Sequence, residues 1–423
     1  MAKVITTELQ HSGASAANIT LDSSKNVTCE NNLQVDGNVS VTGTLPADKL
    51  TGNLPAISGA SLTGITTRTT PFRNLIINGA FQIAQRGTSS TSTVYQTVDR
   101  WMGLWGGTDE NCTQAQVALT SSDTGPWAKG FRKAFQITNG NQTSGAGAND
   151  YVQLSTSLES QDIANSGWDY TSTSGKVAFS FWVKSSVAQN FYGNFKTVDG
   201  TAQNYTFETG SLSANTWTKI TKIIPGAAAL EFDNDNTTGL EIYIVPFQGT
   251  DRTASMSLDT WAAYSSSSKS PDMTSTWYTT NDATFAITGV QLEVGDAVTD
   301  FEHRSYHDEL LRCQRYFWMY YYPTAAAKSL MVAHNWHTNQ IFGHINFPCR
   351  MRSAPSGFVT NGTDYWTAYK TTPNTSNFDT MSQWNANENS AILEGMSPSV
   401  TAGESCFCTG NNAAASFAFN AEL

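Results

Sequence analysis

After residue 70, apolar side chains recur at every second position through most of the chain. In NLIINGAFQIA, KVAFSFWVKSS, NFYGNFKTV, WTKITKIIPG, GLEIYIVPFQG and FAITGVQLEVG the alternation ends in turn-forming Gly, Pro, Asn and Asp, as in strands linked by tight turns. Val177, Phe179, Phe181 and Val183 fall on one face of their strand, with Trp182 on the other among polar neighbours. Leu240, Ile242, Ile244 and Pro246 line one side of the GLEIYIVPF run. Glu241, Tyr243, Val245 and Phe247 line the other, so that strand is expected to be covered on both faces. This rhythm, from Asn74 to about Phe301, predicts an antiparallel β-sandwich. Shorter strands return beyond Pro323 in SLMVAHNWHTN, IFGHINFP, GFVTNGTDYWTAYK and SFAFNAEL, joined by Asn-, Ser- and Gly-rich loops.

Helical spacing stands out once. From Ser305 to Tyr321, the positions Tyr306, Leu310, Cys313, Phe317 and Tyr320 follow a 4, 3, 4, 3 pattern. Asp308 and Glu309 fall in the first turn, where they complement the helix dipole, and Pro323 marks the stop. Such a seam packs on its own domain or meets two further copies on a three-fold axis.

The first 70 residues contain no aromatic side chain, and their short apolar positions are broken by Gly and Pro. TGTLPADKLTG is loosely echoed by TGNLPAISGASLTG. Small Val, Leu and Ile side chains in this arrangement find partners only on other copies of the chain, which predicts an intertwined, homotrimeric β-rich shaft; a flexible linker is the alternative.

Composition sharpens the picture. With 24 basic and 35 acidic residues the net charge is −11, charged residues are 14% of the 423, and aromatics are 11%. Low charge excludes coiled-coil rods, the aromatic content argues against disorder, and the lack of basic runs argues against a nucleic-acid partner. MAKVITTELQHSG lacks the charged start and apolar core of a signal peptide, and no apolar run is long enough to span a bilayer, so synthesis in the cytoplasm without membrane insertion is expected. Abundant uncharged polar residues beside many aromatics suit a sugar-binding β-protein. The six cysteines are expected as free, mostly buried thiols; Cys406 and Cys408 are expected on opposite faces of a strand, which makes a zinc pair improbable.

Catalytic motifs are not found. G-x-S-x-G, G-x-x-x-x-G-K-[ST] and H-E-x-x-H do not occur, and the repeated coils of a parallel β-helix are missing. Carboxylate pairs for glycoside hydrolysis are available but unspecific. Asp233 and Asp235 in EFDNDNTTG could offer oxygens to a structural calcium or simply cap a turn; no cofactor is expected otherwise.

NLIINGAFQIAQRG, AFSFWVKSS, NTWTKITKIIPG and ITGVQLEVGDAVTDFEHR, in this order, resemble the galactose-binding-type jelly roll of carbohydrate-binding modules as found in bacteriophage tail fibres. YHDELLRCQRYFWMYYYP, FPCRMRSAPSGFV and the closing FNAEL resemble the C-terminal region of the same fibres, and GNVSVTGTLPADKLTGNLPAISGASLTGI their shafts. The resemblance implies a mainly β homotrimer: an attachment arm and shaft over 1–70, a jelly-roll sandwich over 71–304, a helical trimerisation segment over 305–323, and a receptor-binding tip over 324–423. It implies a non-enzymatic virion protein that attaches through its N-terminus to a tail or baseplate protein and binds a host-surface polysaccharide, lipopolysaccharide or capsule. An adaptor that binds another phage protein and a polysaccharide depolymerase are the alternatives. Candidate sugar contacts are the loop-borne Trp105, Trp127, Trp168, Trp261 and Trp277 of the sandwich and Tyr365, Trp366, Tyr369 and Trp384 of the tip, because a ring face stacks on the C–H face of a pyranose. Trp101, in a segment that packs inward in the family, is the weakest of them.

Overall fold

A computed structural model describes residues 73–323, 328–370 and 375–423 in full, with the backbone of 8–9, 19–21 and 27–29. The chain divides into two compact units, Met1–Ile65 and Thr66–Leu423. In the first, Glu8–Leu9, Ile19–Leu21 and Val27–Cys29 form a small antiparallel sheet. The rest of the expected shaft lies outside the described residues.

The second unit is mainly β. Its sandwich faces two six-stranded sheets. One orders the strands Trp261–Ala263, Gln203–Ser211, Asn190–Thr197, Thr238–Gln248, Tyr151–Glu159 and Met102–Gly106. The other orders Thr218–Pro225, Lys176–Ser185, Thr284–Val294, Lys133–Thr138, Thr113–Ala118 and Ser89–Ser90. Every pairing in both is antiparallel.

The alternation read from the sequence sets the core. Val177, Phe179, Phe181 and Val183 are buried, while Trp182 is only half-buried on the far side. Phe179 meets Phe195 from the opposite sheet edge-on, with ring centroids 4.9 Å apart. Thr238–Gln248 is covered on both faces as expected: Ile242 and Ile244 lie in the core, and Val245 is buried on the other side. The first turn closes against the last strand. Leu75 N donates to Leu292 O at 2.8 Å and Val290 N to Gly79 O at 2.9 Å. A Cβ at Gly79 would sit 2.1 Å from Val290 O, so only glycine fits that turn.

The helix departs from its predicted length. It spans Tyr306–Gln314, capped by Ser305 Oγ, which accepts from Asp308 N at 3.1 Å. Phe317 and Tyr320 are not on it. They belong to the strand Phe317–Tyr321, which pairs with Ser416–Asn420, itself paired with Ser356–Thr360. Aromatic and β-branched residues favour a strand when an edge is offered, and the C-terminal strand offers one. The five seam positions therefore share no single helical face: Cys313 and Phe317 are buried within their own chain, Leu310 and Tyr320 are half-buried, and Tyr306 points to solvent.

The seven-stranded sheet orders Thr375–Phe378, Trp366–Tyr369, Ser405–Gly410, Ser329–His337, Gln340–Asn346, Ser390–Met396 and Thr380–Ala386. Its inner face packs Met331, Ile341, Trp366 and Leu393 against Phe417 and Phe419 of the three-stranded sheet. Cys406 and Cys408 both face this core, with sulfurs 3.9 Å apart. The expectation of opposite faces is thereby corrected, since residues two apart on a strand share a face.

Buried charges lock this C-terminal domain to the sandwich. Arg315 grips Glu159 through two contacts of 2.7 Å, and Tyr316 donates its hydroxyl to the same carboxylate. Burial works against the Glu159 charge, yet Arg315 and Tyr316 outweigh it and hold the carboxyl below its ordinary range. Glu422, one residue from the end, pairs with Arg86 and Arg100. The Arg100 guanidinium lies 3.5 Å from the Tyr316 ring centroid.

Candidate functional site

Several aromatic side chains meet solvent together on the outer face of the seven-stranded sheet. On Ser329–His337, alternation turns Met331, Ala333 and Asn335 inward and Val332, His334 and Trp336 outward. Asn335 can be buried because its amide donates to Thr401 O at 3.0 Å and its backbone N–H to Glu404 O at 2.9 Å. On the next strand Phe342 lies outward, opposite His334 on one side and Glu394 on the other. Thr380–Ala386 carries Trp384 at the sheet edge, where a register shift between Gln383 and Asn385 re-aims the side chain.

Together these residues form a slot. Phe342 is its floor, with Trp384 on one side at 5.3 Å and 61° and Trp336 on the other at 6.4 Å and 80°. The two indoles remain 60% and 59% exposed for Trp336 and Trp384, whereas Phe342 is half-buried. Ile392 and Gln340 complete a cleft of about 430 Å³. Polar groups stand at its rim: Glu394 accepts from the Gln340 amide and, at 3.4 Å, from the Ser382 hydroxyl. Further along the face, Tyr369 and Phe407 lie 6.2 Å apart, both exposed. The arrangement can sandwich a flat apolar surface and offer hydrogen-bond partners at its edge.

The sequence-derived sugar contacts fare unequally. Trp384 and Tyr369 are exposed on this face. Trp105, Trp168, Trp277 and Trp366 are buried, which corrects their assignment as contacts. The Trp277 indole donates to Thr284 O at 3.1 Å and that of Trp366 to Asn361 Oδ1 at 2.8 Å, so both rings plug the core with their polar atom satisfied. Trp101 is buried too, against Phe81 at 5.1 Å. Trp127 and Trp261 are half-buried and already engaged: the Arg132 guanidinium covers Trp127 at 3.7 Å, and Trp261 donates to Pro225 O at 2.7 Å. Tyr365 is half-buried against the C-terminal core. Trp336 and Phe342 were missed by sequence reasoning, although the period-two split of their strands carried the signal.

Asp235 accepts from both the N–H and the hydroxyl of Thr237, at 2.9 and 2.7 Å, and so caps its own turn. These bonds hold its carboxyl below the usual carboxylate range. Asp233 lies in the same loop, and its N–H donates to Asp199. Among the described residues no three His, Cys, Asp or Glu side chains gather to hold a metal ion.

No protein-family model matches the sequence, and no curated protein does. Several solved structures are similar over about half of the chain. The enzymatically active domain of a tailspike protein 4 from bacteriophage CBA120 matches at 12% identity and TM-score 0.29, over 53% of this chain and 22% of that one. The C-terminal family 22 carbohydrate-binding module of Clostridium thermocellum Xyn10B matches at 11% identity and TM-score 0.26, over 52% of this chain and 98% of the module. The N-terminal cellulose-binding domain of Cellulomonas fimi β-1,4-glucanase C matches at 8% identity and TM-score 0.25, over 51% and 97% respectively. This chain thus spans about a fifth of the tailspike chain's length.

Proposed function

We propose that the protein is a phage tail fibre acting as a receptor-binding protein, which holds a host-surface polysaccharide in the slot between Trp336 and Trp384. The observation that carries the glycan-binding part of this reading is the slot itself: two exposed indoles flank an aromatic floor beside a carboxylate and an amide; the tail-fibre part is supported by the sequence resemblance. A pyranose places its apolar C–H face on a ring and its hydroxyls toward the rim groups, which is how aromatic clefts select sugars from water. An exposed apolar patch of this kind on a soluble domain marks a binding surface.

One shallow slot binds weakly. Three copies joined through residues 1–70, with the N-terminus on the tail, raise avidity without new contacts. Binding without cleavage is the chemistry such a slot supports. An adaptor role predicts instead that the same aromatic face is covered by another virion protein, and a depolymerase predicts release of reducing sugar.

The test is glycan-array and pull-down binding of the purified chain to host lipopolysaccharide and capsule, compared with Trp384→Ala. Binding that falls about tenfold or more in the variant, at unchanged fold, supports the reading. Absence of any glycan binding, with virion adsorption unimpaired after deletion of residues 74–423, sinks it.

A further inference from the structure

A second feature lies on the sandwich, on the outer face of the sheet containing Asn190–Thr197. This face is polar where the inner face is aromatic. Lys196 stands opposite Glu241 in register, with Nζ 2.7 Å from the carboxylate, and Asn194 stands opposite Tyr243. The segment 249–275 folds across the same face and is tied down there. The Thr206 hydroxyl donates to Lys269 O at 2.7 Å, Tyr264 N to Ala202 O at 2.8 Å, and the Ser270 hydroxyl to Gln248 Oε1 at 3.1 Å. Arg252 and Lys269 are joined through their backbones, Lys269 N donating to Arg252 O at 2.8 Å.

Folding therefore brings three cations together over tyrosine rings. The ammonium groups of Lys196 and Lys269 lie 4.9 and 5.9 Å from the centroid of one ring, Tyr264, and the Arg252 guanidinium lies 4.2 Å from that of Tyr151. All three are half-buried. Glu241 is the carboxylate that acts on Lys269, and it is engaged by Lys196. Among the described residues the Lys269 ammonium has neither hydrogen bond nor ion pair; burial, with Arg252 and Lys196 beside it, lowers its pKa. Crowding like charges on a half-desolvated floor is unfavourable unless an anion arrives, and here it occurs in a chain whose net charge is −11.

We infer that Lys196, Arg252 and Lys269 form a subsite for an anionic sugar, its negative charge a ring carboxylate or a phosphate, with Tyr264 and Tyr243 as the surfaces that meet the ring. The inference rests on the glycan-binding reading above and adds a charge requirement at a site separate from the Trp336 slot. Lys269 supplies the unspent donor, and Arg252 the planar fork suited to a carboxylate or phosphate.

Calorimetric titration of the full chain at low and moderate salt tests it, with polygalacturonate, a phosphomannan, a neutral galactan and inorganic phosphate as probes. The expected result is affinity for one acidic polymer about tenfold or more above the neutral one, lost in Lys269→Ala, because a charge-assisted hydrogen bond contributes about that factor. Lys176→Ala, an exposed cation at the far sheet, leaves the preference unchanged. Which acidic polymer wins assigns the charge to a carboxylate or a phosphate. Without ligand, Lys269→Ala should melt at or above the parent temperature, since it relieves repulsion. Equal affinity for acidic and neutral glycans, equal loss in Lys176→Ala, inorganic phosphate bound as tightly as the polymers, or a lowered melting temperature in Lys269→Ala each overturn the inference and leave the slot standing. Failure to bind any glycan removes both.

Discussion

Two β-regions of one chain treat tryptophan in opposite ways. The sandwich draws Trp101 and Trp277 into its core, fully buried, whereas the seven-stranded sheet buries Trp366 on its covered face and sends Trp336 and Trp384 outward from the other. The difference is architectural. The sandwich closes two broad sheets on each other, so large rings from loops are needed to plug its ends. The C-terminal domain covers only one face of its sheet, with the smaller three-stranded sheet, and leaves the other open to solvent. Loop position and composition therefore say little about a ring's use; what decides is whether a second layer covers the face it projects from.

The sharpest way to break this contrast is the same substitution in both regions. Trp277→Ala removes a ring with no exposure whose neighbours include Phe285, and should cost about 3–5 kcal/mol of unfolding free energy by denaturant titration. A loss below about 1 kcal/mol would mean the ring is not a core plug.

The second prediction concerns the charged junction. Asp99 is fully buried. Burial raises its carboxyl to about 6, against the pull of Arg86 and of the Gln85 side chain and N–H. Its folded value lies above the unfolded one near 3.8, so the ionised form is less well accommodated in the folded state. The penalty is full above pH 6 and is relieved as pH falls from there toward 4. A carboxyl raised from 3.8 to about 6 makes the effect up to about 3 kcal/mol. The parent should thus gain more stability between pH 7.5 and 5 than Asp99→Asn does, read as melting temperature. Parallel pH profiles for the two proteins would refute the assignment. Glu159 acts oppositely, and its stabilisation is lost only as pH falls below its ordinary range near 4.5.

Much of the sandwich was legible from the sequence, because period-two alternation of Phe, Ile and Val fixes which face is buried without knowledge of the partner strand. The fate of the loop tryptophans was not. Trp277 sits on a single helical turn, Thr276–Thr279, whose N–H is held by the Gln189 side chain 88 residues away in sequence. In the C-terminal sheet, hydrophobicity points the wrong way: Asn335 is buried and Trp336 exposed, and the Asn335 side-chain NH2 is taken up by a backbone carbonyl 66 residues away. The helix was overextended for a related reason. The spacing of Tyr306 to Tyr320 fits a helix throughout, and only the offered edge of Ser416–Asn420 shows that its last third is a strand.

Trp384→Ala and Trp336→Ala form the third prediction and the counterpart of the first. Each should leave stability within about 0.5 kcal/mol, since little buried area is lost, while weakening glycan binding by about 1–3 kcal/mol. A stability loss comparable to that of Trp277→Ala would erase the distinction between the two regions.

The smallest effect is expected at Tyr306. This side chain is 63% exposed on a helix that turns Cys313 inward, and it was read from the sequence as the first residue of a trimer seam. With Phe317 and Tyr320 on a strand instead, only Leu310 and Cys313 continue its stripe, and Cys313 is buried within its own chain. Tyr306→Ser in the full chain should therefore change neither the solution mass nor the unfolding free energy by more than about 0.5 kcal/mol. Removal of residues 1–72 should reduce the mass to that of a single chain if association resides in the aromatic-free segment. Dissociation by Tyr306→Ser alone, measured by light scattering, would return the helix to the three-fold axis.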